Sequence, residues 1–225
     1  MALAKLRVVL VELEYPENLG LIARAVKNFG CIDLYLVNPK PDRNSVPAKS
    51  RALHAQDVLK KAKIVKTLAS ALKGVDFSIG TTARLSKDNK FFRKAQTLKQ
   101  ASEQFANSGK KIALVFGKES AGLTNEEIEQ CDSVITIPTS RLYRSLNISH
   151  AVCICMYQFY NERAKTIFRV GEKKTRKALL EKAWNKIQKN EDIDNKQGVM
   201  EAVKALVLRV PVTEKELRAL FMLFQ

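Results

Sequence analysis

The feature that most constrains the fold of this chain is the alternation of short apolar runs with longer helical patterns. The runs are rich in β-branched residues and lie at 6–11, 34–37, 75–80, 112–116 and 134–137. Helical patterns fall at about 18–29, 67–72, 97–106, 124–131 and 148–164, and Thr124 with Glu127 forms a capping box that starts the fourth. Continuous apolar runs separated by crossover lengths are typical of parallel strands. The sequence therefore predicts an α/β fold with a mostly parallel sheet and flanking helices.

The last quarter of the chain has a different composition. Charged, helix-prone segments occupy 173–189 and 198–208, and Pro211 precedes a last short helix. We predict two parts, an α/β domain over residues 1–164 and a helical C-terminal extension over residues 165–225.

The charge of the chain indicates a polyanionic partner. Its 39 Lys and Arg exceed 23 Asp and Glu, which gives a net charge of +16. Such an excess favours nucleic acid, although a generally basic proteome or an anionic membrane surface is also compatible with it. The apolar runs are too short to span a membrane, and the N-terminal residues do not resemble a secretion signal. We expect a cytoplasmic protein without a membrane partner.

Metal chemistry is not expected. The chain has four cysteines and two histidines, and neither histidine has a carboxylate or cysteine at ligand spacing. Cys153 and Cys155 diverge on a helix, so we predict mostly buried thiols. The dinucleotide-binding and P-loop glycine patterns are absent from the sequence, which disfavours a nucleotide hydrolase.

Three short polar motifs follow apolar runs, where open α/β sheets build their ligand sites. In the first, Gly20 permits a tight strand-to-helix turn, Asn18 caps the helix or orients a neighbour, and Arg24 is either functional or a solvated charge. The second, residues 116–123, places glycines around a carboxylate; it suits a flat ligand but also an ordinary turn. The third, residues 145–151, opens a helix, so helix capping is its alternative role.

In their order and spacing these motifs resemble the SpoU-type 2′-O-ribose branch of the SPOUT RNA methyltransferases, and most closely the TrmJ-like tRNA enzymes. The resemblance covers about residues 6–160. It implies a deep trefoil knot in the last third of the domain and an obligate homodimer with cofactor sites at the subunit interface. The cofactor implied is S-adenosyl-L-methionine, and no metal is implied.

The resemblance also implies roles for individual residues. The catalytic set is Arg24, Ser145, Tyr143, Asn18 and Glu119. The cofactor-binding set is Thr81, Thr82, Ala83, Gly117, Glu119, Gly122, Ile137, Ser145, Leu146 and Asn147. Because a guanidinium is almost never deprotonated, we expect Arg24 to position phosphate and stabilise a developing alkoxide, reaching the site from the partner chain.

A basic segment lies between the third and fourth predicted strands, at 75–80 and 112–116. Residues 84–111 contain eight basic and two acidic residues, with Phe91 and Phe92 among them. Such a segment fits an RNA clamp, or equally a solvated loop whose phenylalanines are buried. The expected RNA-binding residues are Arg24, Arg84, Lys87, Lys90, Arg93, Lys94 and Arg144.

The implied activity is methylation of a ribose 2′-hydroxyl in tRNA, with cytidine or uridine at anticodon-loop position 32 as the expected target. Two alternatives stay open. One is a 2′-O-methyltransferase of rRNA or of another tRNA position. The other is a non-catalytic RNA-binding factor that retains the fold.

Overall fold

The computed structural model describes residues 5–31, 33–83, 95–140, 142–165, 173–209 and 214–223. Its strands are β1 Leu6–Val11, β2 Asp33–Val37, β3 Lys63–Val65, β4 Phe77–Thr81, β5 Ala95–Thr97, β6 Ile112–Phe116 and β7 Ser133–Thr136. Its helices are α1 Pro16–Asn28, α2 Val46–Ala52, α3 Gln56–Lys61, α4 Leu68–Leu72, α5 Leu98–Phe105, α6 Asn125–Glu129, α7 Ile148–Lys165, α8 Lys173–Lys189, α9 Lys196–Arg209 and α10 Glu214–Leu223, with a 3-10 turn at Leu53–Ala55.

The strands form one seven-stranded sheet in the order β3-β2-β1-β6-β4-β7-β5. Every pairing is parallel, which confirms the predicted class. β1 and β6 are buried along their whole length, which explains why both strands are apolar apart from Arg7 of β1.

Side chains of β1 alternate between two cores on the two faces of the sheet. Leu6, Val8 and Leu10 join a large cluster with residues of α1 and α7. Val9 and Val11 join a smaller cluster with residues of α4 and β6. The sheet is therefore covered on both faces, as a parallel sheet requires.

Several elements were not predicted. β3 and β5 are three residues each, too short to carry an apolar pattern, and β3 is largely exposed. α2 and α3 were also missed, because each is a turn or two long and too short to show a helical apolar period. The capping box of Thr124 and Glu127 is confirmed at the start of α6. The trefoil knot stays a prediction.

The role expected for Gly20 was wrong. It lies inside α1 rather than in a strand-to-helix turn. A Cβ at this position would stand 2.4 Å from the carbonyl oxygen of Ala48 and 2.7 Å from Cβ of Arg51. Gly20 is therefore required because α2 packs directly against α1 at this point.

A buried arginine, Arg7, connects the amino-terminal ends of β1 and β2. Arg7 of β1 is 3% exposed, and its Nε donates to Asp33 of β2 at 2.9 Å. The Arg7 guanidinium also donates to the carbonyl of Lys73 at 2.9 Å and stacks on the Tyr35 ring at 4.0 Å. Burial pushes the pKa of Asp33 upward, but hydrogen bonds from Arg7 and Lys111 outweigh it and hold the pKa below its usual value.

The chain divides into two compact units, Met1–Arg163 and Ala164–Gln225. The second unit has its own small core, which contains Leu179, Val207 and Leu217. Arg176 of α8 donates to the carbonyl of Val207 of α9 at 3.0 Å. Among the described helices, none is long and apolar enough to cross a membrane.

We predict that Asp33→Ala lowers the free energy of unfolding by about 3 kcal/mol, because it leaves the Arg7 charge buried without its carboxylate. Urea denaturation at neutral pH measures this change. The matched control is Asp57→Ala, which breaks the exposed ion pair with Lys27 and should cost less than about 1 kcal/mol.

The same comparison has a pH signature. Because the folded-state pKa of Asp33 is lowered, its contribution is present at neutral pH and is lost as the pH falls through that pKa. The difference between wild type and Asp33→Ala should therefore shrink in acid. Equal costs for the two variants, or a difference that grows in acid, would contradict this account.

Candidate active site

The three motifs follow β1, β6 and β7, and the carboxyl ends of these strands lie at one edge of the sheet, in the order β1-β6-β4-β7. β4 lies between β6 and β7, with Gly80 opposite Val115 on one side and Thr81 opposite Ile135 on the other. The segments that follow these strands begin near Thr81, Gly117 and Ile137. This is the edge at which parallel α/β sheets bind ligands.

A chain of hydrogen bonds joins all three motifs through Asn18. Its Nδ2 donates to Oε1 of Glu119 at 2.9 Å, and its Oδ1 accepts from Nδ2 of Asn147 at 3.1 Å. The Oδ1 of Asn147 in turn accepts from the backbone N–H of Ser149 at 2.8 Å and from its hydroxyl at 2.7 Å. Segments separated by more than a hundred residues are thus fixed by one amide side chain.

Asn18 is the buried centre of this network and is 8% exposed. Tyr15 is the N-cap of α1, so Asn18 does not cap its helix and instead orients its neighbours, the second of the two predicted roles. Asn147 does cap its helix, since its side chain accepts from the N–H of Ser149 at the start of α7. Its amide group then serves the cap and the network together.

A second set of hydrogen bonds connects the loop after β1 to the loop after β6. The N–H of Glu14 donates to Oε2 of Glu119 at 2.8 Å, and the N–H of Ser120 donates to Oε2 of Glu14 at 2.9 Å. Lys40 donates to the other oxygen of Glu14 at 2.8 Å. Hydrogen bonds from Lys40 and then Ser120 lower the pKa of Glu14 to about 2, so the Glu14 carboxylate stays charged throughout the physiological pH range.

The two glycines of the second motif, Gly117 and Gly122, allow the backbone at the two ends of the loop to pack closely. A Cβ on Gly117 would stand 2.1 Å from the carbonyl carbon of Gly122 and 2.2 Å from the nitrogen of Leu123. The N–H of Gly122 donates to the carbonyl of Lys118 at 2.8 Å, and Gly122 has φ +73°. The close backbone approach expected at Gly117 is therefore made by the chain itself, and it shapes the loop that carries Glu119.

The remaining predicted cofactor residues line the same edge. The hydroxyl of Thr81 donates to the carbonyl of Val115 at 3.0 Å, and the N–H of Thr82 donates to that of Ile135 at 3.0 Å. Ala83 and Ser145 are exposed, while Ile137 and Leu146 are half-buried. Half-buried apolar side chains beside backbone polar groups at strand ends fit an adenosine and a short charged chain.

A small cavity of about 20 Å³ lies at the opposite edge, beside Lys5, Phe105 and Arg163. It is too small for a nucleoside, since that volume holds about one water molecule. The candidate cofactor site therefore depends on the strand ends and the hydrogen-bonded loops.

Arg24, Tyr143 and Arg144 are exposed, and Tyr143 is 77% exposed. Arg24 follows Asn18 by six residues, which on a helix is about 9 Å along the axis and about 120° around it. Arg24 therefore points away from the network of its own chain. Arg84, Lys87, Lys90, Arg93 and Lys94 lie outside the described residues.

The cysteines do not belong to this site. Cys31, Cys131 and Cys155 are buried and Cys153 is exposed, and all four are free thiols, as predicted for most of them. Burial raises the pKa of Cys31 and of Cys155 to about 12, so neither is a thiolate at neutral pH.

Sequence reasoning missed four residues that complete the network. Glu14 and Lys40 lie outside the motifs, whereas Ser120 and Ser149 lie within them but were not assigned a role. Only Ser149 carried a local signal, because an Asn two residues before a Ser at a helix start is typical of a cap. The Lys40 to Glu14 pair depends on a contact between distant loops.

Comparison with known proteins gives consistent results. Residues 5–157 match the SpoU rRNA Methylase family. The chain is 34% identical over 225 residues to tRNA (cytidine-2′-O-)-methyltransferase TrmJ of Methanocaldococcus jannaschii, with 97% of each chain covered. It is 38% identical over 166 residues to tRNA (cytidine/uridine-2′-O-)-methyltransferase TrmJ of Pectobacterium atrosepticum, with 69% of this chain and 64% of the relative covered. A solved structure of a probable methylase family protein from Haemophilus influenzae superposes with a TM-score of 0.69 at 29% identity, covering 99% of this chain and 95% of the other.

We predict that Asn18→Asp lowers the free energy of unfolding at neutral pH by about 2 kcal/mol or more relative to wild type. The loss should be larger than that caused by Asn18→Ala. The new carboxylate would replace the donor that now lies 2.9 Å from Glu119. Denaturant unfolding at about pH 7 and about pH 5 measures the effect, and the penalty should shrink at the lower pH because a shared proton restores a donor.

The control is Asn185→Asp on the exposed surface of α8, which should change stability little at either pH. A penalty for Asn18→Asp that is absent, or identical at both pH values, would contradict the central position of Asn18.

Proposed function

The chain belongs to the SpoU methylase family and, within it, to the TrmJ tRNA methyltransferases, and from this premise we propose that it methylates a ribose 2′-hydroxyl of tRNA. The donor is S-adenosyl-L-methionine. The observation that carries the proposal is the Asn18 hydrogen-bond network, because it assembles all three motifs at one strand edge. Cytidine or uridine at anticodon-loop position 32 is the proposed target.

The cofactor supplies an electrophilic methyl group on a sulfonium. We assign its binding to the loops after β4, β6 and β7, where Ile137 and Leu146 offer apolar surface and the backbone offers donors and acceptors. Thr81, Thr82, Ala83, Gly117, Gly122, Ser145 and Asn147 complete the proposed set. Glu119 acts within the loop by holding Asn18 and the N–H of Glu14.

Catalysis in this proposal is mainly a matter of positioning. The ribose oxygen must lie in line with the sulfonium methyl, and rigid loops that hold both partners remove much of the entropic barrier. Arg24 supplies a permanent positive charge for the neighbouring phosphate and for charge that develops on the oxygen. Ser145 and Tyr143 are proposed to contact the ribose.

We propose that the enzyme is a homodimer in which Arg24 serves the site of the partner subunit. The direction of Arg24, away from its own Asn18, supports this arrangement. A stripe on α7 formed by His150, Cys153, Ile154 and Tyr157 is exposed, with Ile154 38% and Tyr157 57% accessible. The ring centroid of Phe29, the residue that follows α1, lies 6.4 Å from the ring centroid of Tyr157. The end of α1 and this stripe therefore form one surface. A second copy would cover it.

The proposed activity is tested by incubating the protein with methyl-labelled S-adenosylmethionine and either total tRNA or rRNA, followed by mass-spectrometric mapping. We expect a single 2′-O-methylated pyrimidine at position 32. Methylation of rRNA or of another tRNA position would replace the proposed substrate. A protein that binds RNA but transfers no methyl group, and is not stabilised by the cofactor in a thermal shift, would be the non-catalytic alternative.

We predict that Arg24→Ala lowers methyl transfer by about a thousandfold or more while cofactor affinity stays within about twofold, because Arg24 meets the RNA rather than the donor. Single-turnover kinetics and calorimetric titration with S-adenosylmethionine measure the two effects. Ser145→Ala should also slow transfer. Equal losses of transfer and cofactor affinity in Arg24→Ala would assign Arg24 a structural role instead.

We predict that the mixed dimer of an Arg24→Ala chain and a Ser145→Ala chain recovers about half of the wild-type rate per dimer, well above the rate of either variant alone. A mixed dimer then contains one site with an intact Arg24 from one chain and an intact Ser145 from the other. Affinity tags on the two chains isolate the mixed dimer for assay. No recovery in a verified mixed dimer would show that Arg24 acts within its own chain.

A further inference from the structure

We propose that Arg51 joins Arg24 in binding a single phosphate of the RNA substrate. The inference rests on the proposed function and adds to it a binding residue on a second helix, α2. The two arginines would form one site from two packed helices, with a backbone phosphodiester as its ligand.

The position of Arg51 follows from the contact between α1 and α2. Its Cβ lies 2.7 Å from the point that a Cβ on Gly20 would occupy. Arg24 is one helical turn beyond Gly20, and Cβ atoms four residues apart on a helix are about 5–6 Å from each other. The Cβ atoms of Arg24 and Arg51 are therefore within about 9 Å, well inside the combined reach of two arginine side chains.

The next turn of α1 contacts the segment that follows α2. Lys27 donates to the carbonyl of His54 at 2.7 Å and to Asp57 at 2.8 Å. Arg24 thus lies between two contacts of α1, with α2 at Gly20 and with the following segment at Lys27. The protein surface beside Arg24, between these two contacts, is formed by residues 51–54.

Within the described part of the chain, no acidic side chain pairs with Arg24 or Arg51. Arg24 and Arg51 are exposed, and neither forms an ion pair or hydrogen bond among the described side chains. The exposed acid of the region, Asp57, is engaged by Lys27, and Glu17 at the start of α1 forms no ion pair with either arginine in the described structure. Two guanidiniums held close together repel each other, and an anion between them removes that repulsion.

The chemistry of the pair selects a phosphate. A guanidinium presents a planar fork of donors that matches two phosphate oxygens, and two forks occupy the non-bridging oxygens of one phosphodiester from different directions. Such a contact carries no base information, so it fixes the register of the RNA strand on α1 and α2. Arg51 is in this sense a binding residue that holds the strand while Arg24 faces the reacting sugar.

The test is Arg51→Met, which keeps an apolar stem against Gly20 and removes the charge. We expect the Kd for tRNA to rise about tenfold or more and KM to rise with it, while kcat changes little. The slope of log Kd against log salt should become shallower by about one unit, because one fewer counterion is displaced. Arg51→Lys should recover the salt slope and only part of the affinity, since it keeps the charge without the fork.

The matched control is Lys60→Met, which removes one exposed positive charge from α3. It should leave Kd and the salt slope within error of wild type. Both variants should keep the wild-type unfolding midpoint and cofactor affinity. A salt slope and Kd for Arg51→Met equal to those of Lys60→Met would overturn the inference.

A double-mutant cycle tests whether the two arginines share one phosphate. If they do, the loss of tRNA affinity in Arg24→Met with Arg51→Met should be smaller than the product of the single losses by about threefold or more. Losses that multiply would assign the arginines to separate phosphates and overturn the shared site. Absence of methyl transfer by the wild-type protein would instead refute the proposed function, so the two failures are distinguishable.

Discussion

The arrangement of this protein depends on the amide side chain of Asn18. It is buried and uses both its donor and its acceptor, one toward Glu119 and the other toward Asn147. A buried amide that lost either partner would leave a polar atom unsatisfied, which costs more than the bond itself contributes. The three loops are therefore held in one arrangement, because any arrangement that separates them leaves a buried polar atom of Asn18 without a hydrogen-bond partner. Glu14 adds a second constraint, since it exchanges backbone donors with the Glu119 loop.

The sheet makes this network possible by bringing the ends of β1, β6, β4 and β7 side by side. These strands are neighbours in that order and run in the same direction, so the loops that follow them meet at one edge. The opposite edge is stabilised by the buried Arg7 and its partner Asp33. At the site edge the ion pair of Glu14 with Lys40 acts together with the hydrogen bonds of Asn18 and Glu119. Packing at Gly20 then sets how α2 lies beside α1.

Periodicity was sufficient for the long elements and for the class of the fold. β1 and β6 were predicted with the bounds they have, because strands buried on both faces are largely apolar, and Arg7 is the one charged residue in these two strands. Short edge strands such as β3 carry no such pattern, and the 7 residues of α2 are too few to show a helical apolar period. The motifs identified Asn18, Glu119 and Asn147, but not which of them touch. Glu14 and Lys40 could not be predicted, since their pairing exists only once two distant loops meet.

A structure of the protein with S-adenosylhomocysteine, the demethylated product of the donor, tests the central assignment most directly. The account predicts electron density for the nucleoside among Thr81, Gly117, Ile137 and Leu146, with the hydrogen bonds of Asn18 to Glu119 and Asn147 retained. Density at the opposite edge beside Lys5 and Arg163, or a bound state in which Asn18 has released both partners, would contradict it.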